Sequence, residues 1–194
     1  KIEYKESNLT IRFSGSKNII GHRLESDRPL KVVALHLPDL ADIIRYPLQP
    51  HWNFGSELGG RVRVIACVDS KPNLFFYSQK EKYDIADGDW DEIRKEFHSG
   101  ANDDTILICG PSTDVITAVN EIKIRISELA IGVVNETRQD MKDGTTDFER
   151  ILPGPDRMYP DTDHPPIKIT RERVLENQKL GSEPLWEKEK RWEK

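Results

Sequence analysis

The sequence predicts an α+β domain, a two-layer sandwich with helices on one face of a sheet, followed by a proline-rich extension. Three observations predict it. Short apolar runs bounded by turn residues read as strands at 32–37, 61–68, 74–77 and 105–109. Two segments, 87–99 and 113–131, carry apolar residues at three- and four-residue spacing, the mark of one buried helix face. Periodicity then fades after about residue 135, where prolines gather at 153, 155, 160, 165 and 166. Hairpins mixed with helices are the pattern of a sheet covered by helices.

The elements follow in order. Residues 1–14 alternate weakly through Ile2, Tyr4, Leu9, Ile11 and Phe13, which suggests a strand or two that could belong to a neighbouring domain. FSGSKN at 13–18 lacks the full phosphate-loop spacing and reads as a turn. VVALHL at 32–37 is a strand. Pro38 and Asp39 let LADIIRY start as a short helix that Pro47 ends. Residues 47–60 read as a loop in which Trp52 and Phe54 must pack somewhere, with SELGG as a turn feeding the next strand. RVRVIACV at 61–68 puts Val62, Val64, Ala66 and Val68 on one strand face, and DSKPN turns it into LFFY as a hairpin.

Asp87 is placed to cap the first long helix, whose buried face carries Trp90, Ile93 and Phe97 and whose end suits Gly100. The acids of DGDWDE sit in its first turn, where carboxylates favour the helix dipole over any metal role. The second long helix buries Val115, Val119, Ile122, Ile126 and Leu129, with Glu121, Lys123, Arg125 and Glu128 at more polar positions and Gly132 closing it. At the far end, EPLWEKEKRWEK favours a helix with Leu185 and Trp192 on one face and a Glu187–Arg191 pair. It reads as the start of a further helical domain, with a partner-binding helix as the other option.

Composition narrows the function. The chain has 194 residues, 36% hydrophobic and 32% charged, enough apolar material for a core. A formal net charge of −5 supplies no global basic field, so no DNA partner is expected and RNA contact would be local. No membrane-length apolar run occurs and residue 1 is Lys, which points to a chain cut from something longer or processed at its start. Cys67 and Cys109 lie in apolar runs and read as reduced core residues of a cytoplasmic protein. His22, His36, His51, His98 and His164 show no paired spacing, and no nucleophile signature appears. DTDHP at 161–165 has only the outline of a hard-metal or general-base site.

The stretch from Glu136 to Ile167, ETRQDMKDGTTDFERILPGPDRMYPDTDHPPI, is more specific. It resembles a signature of the E subunit of archaeal-type glutamyl-tRNA(Gln) amidotransferase: ETR, then DGTT, then LPG, then RMYPETD followed by PP. The matching positions are Glu136 to Arg138, Asp143 to Thr146, Leu152 to Gly154, Arg157 to Pro160, Thr162, Asp163, Pro165 and Pro166. Asp161 stands where the family usually has Glu, and Asp156 where a small residue is common. Upstream, about 12–135 is similar to a domain shared with bacterial aspartyl-tRNA synthetases, through VVALHLPDLADIIRY, FGSELGGRVRV and KYDIADGDWDEIRKEF.

The resemblance implies a division into a lead-in at 1–14, an insertion domain at 15–135, a returning segment of a cradle-shaped catalytic domain at 136–180, and the start of a truncated helix at 181–194. It implies a parent enzyme that converts tRNA-bound glutamate to glutamine. ATP activates the glutamate carboxylate with Mg²⁺, and ammonia from a partner amidase displaces phosphate. Most metal and ATP residues of that family precede the insert, so the chain alone would be inactive, with no cofactor of its own and no catalytic residue singled out. Substrate- or phosphate-binding candidates are Arg138, Arg157, Tyr159, Asp161 and Asp163. Arg157 would grip an anion, and the two aspartates would bind metal or orient it. Candidates for tRNA(Gln) phosphates are Arg45, Arg61, Arg63 and Lys71. The alternatives are a stand-alone RNA-binding module or a structural, interaction domain.

Overall fold

The computed structural model describes residues 2–152, 167–179, 181 and 184–192. Two compact units result, Lys1–Leu152 and Pro153–Lys194. In chain order the first contains β1 (Lys5–Asn8), α1 (Thr10–Phe13), α2 (Ile19–Leu24), β2 (Leu30–Leu37), α3 (Ala41–Arg45), β3 (Pro47–Gln49), β4 (Trp52–Asn53), α4 (Phe54–Ala66), β5 (Leu74–Phe76), a 3-10 segment (Tyr77–Lys82), α5 (Asp87–Phe97), β6 (Asp104–Pro111), α6 (Ser112–Glu128), β7 (Glu136–Asp140) and β8 (Thr146–Ile151).

The central sheet has the order β1-β2-β6-β5, antiparallel throughout, with Leu35 opposite Ile106 and Phe75 opposite Leu107. Two small hairpins, β3–β4 and β7–β8, stand apart from it. β1, in the expected lead-in, is hydrogen-bonded to β2 along its whole length.

Helices cover both faces of this sheet, whereas one covered face is expected from the sequence. On one face Leu35, Leu37, Ile106 and Ile108 pack with α3, α4 and α6. On the other Val32, Ala34, Phe75, Leu107 and Cys109 pack with Phe13 of α1, Ile20 of α2 and the α5 face Trp90, Ile93 and Phe97. Successive strand residues point to opposite faces, so an unbroken apolar run such as Ile106–Cys109 needs cover on both sides. Trp90 and Ile93 are 0% exposed, and burying side chains of this size stabilises by about 1.5–3 kcal/mol each.

The main correction concerns residues 54–66. The expected loop, glycine turn and strand are instead the helix α4. Phe54, Leu58, Val62 and Ala66 recur every fourth residue, and all four are buried. That stripe runs through both the supposed loop and the supposed strand. Asn53 caps the helix by accepting the Ser56 N–H at 2.9 Å, and Cys67 ends it in the left-handed region at φ 56. Val64, expected inward beside Val62, sits at 36% exposure. Cys67 is likewise exposed and free, while Cys109 is buried and free.

Smaller differences have local causes. Ala86, not Asp87, precedes the first turn of α5. Asp87 instead accepts from Lys80 Nζ at 2.7 Å. α5 ends at His98 (φ 55), and Gly100 donates its N–H to Asp103 at 2.7 Å. In α6 the stripe Val115, Val119, Ile122 and Ile126 is buried, but so are Glu121 and Arg125, placed on the polar side by their type alone.

In the second unit, α7 (Arg171–Lys179) and α8 (Leu185–Trp192) are described. α8 agrees with the helix expected at the chain end, and α7 falls where no periodicity was legible. Neither buries a residue, and Leu185, Trp186 and Trp192 are exposed.

Candidate functional site

The charged residues of α4, α6 and β7 converge into one buried ion-pair network. Arg61 Nε donates to Glu121, and its Nη1 donates to Glu128 at 2.7 Å, with Glu136 at 3.7 Å. Glu57 accepts from Arg125 at 3.2 Å and from Arg138 at 3.1 Å. Arg138 also reaches Glu136 at 2.5 Å and donates to the hydroxyl and carbonyl of Thr146 at 2.8 and 3.0 Å. Arg61 lies over Phe148 and Arg125 over Phe54. Burial alone would lower the Arg61 pKa, but Glu128 and Glu121 outweigh it and hold the guanidinium above its usual value.

This network gives the ETR and DGTT sequences concrete work. Glu136 and Arg138 fasten β7 to the two helices. Asp143 accepts the N–H and hydroxyl of Thr145 at 3.1 and 2.7 Å, and Gly144 takes φ +80 in the turn. Gln49 then joins the β3–β4 hairpin to Thr146, donating to its carbonyl at 2.8 Å and accepting its N–H at 2.7 Å.

The candidate residues separate accordingly. Arg61, expected to meet RNA phosphate, is 2% exposed and spent on glutamates, so its guanidinium does not face solvent. Arg138 is half-buried and equally engaged. Arg45 is exposed on α3, 2.7 Å from Asp42. Arg63 reaches Asp147 at 2.8 Å, and Lys71 is exposed. Arg157, Tyr159, Asp161 and Asp163, together with His164, lie outside the described residues. The glutamates of the network are held by arginine, and no group of three His, Cys, Asp or Glu side chains among the described residues could hold a metal. The described residues thus do not fit an Mg²⁺ site. No helix among them is long and apolar enough to cross a membrane.

Arg63 and Lys71 do meet, at a groove of about 390 Å³ between α4, β5 and the 3-10 segment. Trp52, Gln79, Lys82 and Tyr83 line it too. Gly55 and Gly59 of α4 form its wall, where a Cβ at Gly55 would come within 3.0 Å of Gln79 Nε2. Gln79, Lys82 and Trp52 carry no sequence motif. Gly55, Gly59 and Gly60 stand out in FGSELGG, but only the helix turns all three toward one groove.

No protein-family model matches the chain. Curated proteins do. Over 169 residues it is 36% identical to the glutamyl-tRNA(Gln) amidotransferase E subunit of Methanopyrus kandleri, covering 87% of this chain and 26% of that protein. The E subunit of Pyrococcus furiosus is 35% identical over 150 residues, 76% of this chain and 23% of that protein. That of Sulfurisphaera tokodaii is 35% identical over 176 residues, 91% and 27%. The chain spans about a quarter of the length of the curated relatives it matches. At this identity over most of its residues, the chain belongs to the family of glutamyl-tRNA(Gln) amidotransferase E subunits, as a stretch of that length.

Proposed function

We propose that the chain serves a tRNA-dependent amidotransferase that converts Glu-tRNA(Gln) to Gln-tRNA(Gln), using ATP, Mg²⁺ and ammonia from a partner amidase. Within it residues 15–135 act as an insertion domain that adds to tRNA affinity or braces the complex in the cytoplasm. The observation that carries this reading is the 36% identity to an E subunit over 87% of the chain. Local cations on an acidic chain fit it as well: Arg63, Lys71 and Lys82 border one groove although the net charge is −5.

The chemistry falls to residues outside the described part and to the rest of the parent protein. Arg157 is the anion-binding candidate, with Tyr159, Asp161 and Asp163 beside it in sequence. In the full-length enzyme, Arg157→Ala is expected to lower amidation strongly while the urea midpoint stays near wild type. Normal turnover would remove Arg157 from the chemistry.

The affinity role is tested by titrating the chain with tRNA(Gln) at low and high salt. Binding that weakens steeply with salt supports it, because phosphate contacts release counterions. The bracing role gains from a specific observation, since Arg61 and Arg138 are used internally. It predicts that deleting 15–135 from the parent enzyme leaves tRNA affinity unchanged at every salt concentration but weakens assembly with the amidase.

A further inference from the structure

We propose that the groove between α4 and the 3-10 segment takes an unstacked nucleobase of RNA, with the flanking phosphates against Lys71 and Lys82. The proposal rests on the tRNA-affinity reading above and names the site and the chemical group recognised.

Charge comes first. Arg63, Lys71 and Lys82 line the groove with one carboxylate, Asp147, and that carboxylate is already bound to Arg63 at 2.8 Å. The rim is therefore cationic on a chain whose net charge is −5, and the complementary ligand is an anion. Lys71 and Lys82 are exposed, and an ammonium that gives one N–H to Gln79, as Lys82 does, keeps two more for phosphate.

Gln79 is the second, independent observation. It is 6% exposed, and its Nε2 has no hydrogen-bond partner among the described residues. Its Oε1 accepts from Lys82 Nζ at 2.6 Å, which fixes the amide orientation, since a flipped amide would set NH₂ against an ammonium. Buried unpaired donors are uncommon and unfavourable. The backbone departs from helical geometry at Gln79 itself (φ −127, ψ 24), which breaks the 3-10 segment at this residue. Nε2 is closed off from solvent against Gly55, so a base carbonyl or ring nitrogen would satisfy this donor once the Gln79 side chain turned into the groove.

Shape favours a base over a bare anion. The volume is within the range of small-ligand sites, far more than one phosphate needs. Trp52 and Tyr83 are half-buried in the lining and offer ring faces, the feature by which proteins hold splayed-out bases. Gly55 and Gly59 keep the α4 wall at backbone level. An acidic peptide would engage the lysines but presents no flat acceptor-bearing ring to Gln79, Trp52 and Tyr83.

The test uses the whole chain and a fluorescein-labelled short single-stranded RNA, with tRNA(Gln) and poly-glutamate in parallel. Lys71→Glu with Lys82→Glu is expected to weaken RNA binding at least about tenfold and to flatten the salt slope by about 0.7 for each phosphate no longer neutralised. Trp52→Ala is expected to weaken binding about tenfold with the salt slope unchanged, a split that electrostatics alone would not produce. Urea midpoints establish that each variant is folded, and ultraviolet cross-links are expected on Trp52 or Tyr83. If these variants bind the oligonucleotide as the wild type does, the groove is wrong while the tRNA reading stands. If poly-glutamate binds and the oligonucleotide does not, the groove belongs to an acidic protein segment and the proposal falls. If neither RNA binds at low salt, the proposal and the affinity reading fall together.

Discussion

Arg61 and Glu121 form a buried ion pair that ties α4 to α6, the two helices covering one face of the sheet. Glu128 and Glu136 complete the surroundings of the same guanidinium, so a residue expected at an RNA surface instead holds three elements together.

Arg61→Ala is therefore expected to destabilise the fold by about 3–5 kcal/mol, because Glu121 would be left buried and uncompensated. Urea unfolding measures this. A stable variant with reduced RNA affinity would instead put Arg61 at the RNA surface.

Val62 and Val64 test the helix at 54–66. Val62→Lys, at 1% exposure, should unfold the domain or cost several kcal/mol, whereas Val64→Lys should fall within about 0.5 kcal/mol of wild type. A strand with both valines inward would make the two variants equally damaging.

Gly60→Ala is expected to destabilise by about 1–3 kcal/mol despite the better helix propensity of alanine. The new Cβ would lie 2.1 Å from Asp147 Oδ1, forcing apart the packing that carries the Arg63–Asp147 bridge. Adding Asp147→Ala should make the double variant less damaged than the sum of the singles, measured as a double-mutant cycle.

Asp103 and Asp104 should respond to pH with opposite signs. Burial raises the Asp104 carboxyl, and the bonds from Ser78 and Thr105 do not fully offset it. With the folded pKa above the unfolded one, its contribution is full below the unfolded value and is lost as pH rises through the folded value. Asp104→Asn should therefore gain stability on wild type at neutral pH and change little in acid. For Asp103, burial raises the carboxyl, but the N–H groups of Asp39 and Gly100 and the His36 ring outweigh it and lower the pKa. That contribution is present above the unfolded value and lost as pH falls through the folded one. Asp103→Asn should lose stability at neutral pH and little in acid. Urea midpoints across this range check both.

Several elements were legible because one pattern stood alone. Trp90, Ile93 and Phe97, and Val115, Val119, Ile122 and Ile126, leave no competing periodicity, and both helices form with these stripes buried, although Leu129, read as the end of the second stripe, lies past Glu128 and is 39% exposed. Residues 54–66 failed because two patterns overlap: alternation in RVRVIA and a four-residue stripe beginning at Phe54. Glycines at 55, 59 and 60 tipped the reading toward a loop. Their true cause, close approach by Gln79, Asn73 and Asp147, is tertiary.

The sequence by itself determined the α+β class, the apolar strands at 32–37, 74–77 and 105–109, the helices at 87–97 and 112–128, and the family, because these rest on local periodicity and on motif spacing. The second covered face was implicit in the unbroken run Ile106–Cys109. Only the tertiary structure decided which charges are buried and which stay available. Arg61 and Lys71 look equally soluble in sequence. One meets carboxylates from positions 121, 128 and 136, and the other borders an open groove, because ion pairing inside a protein depends on chain segments far apart in sequence meeting in space.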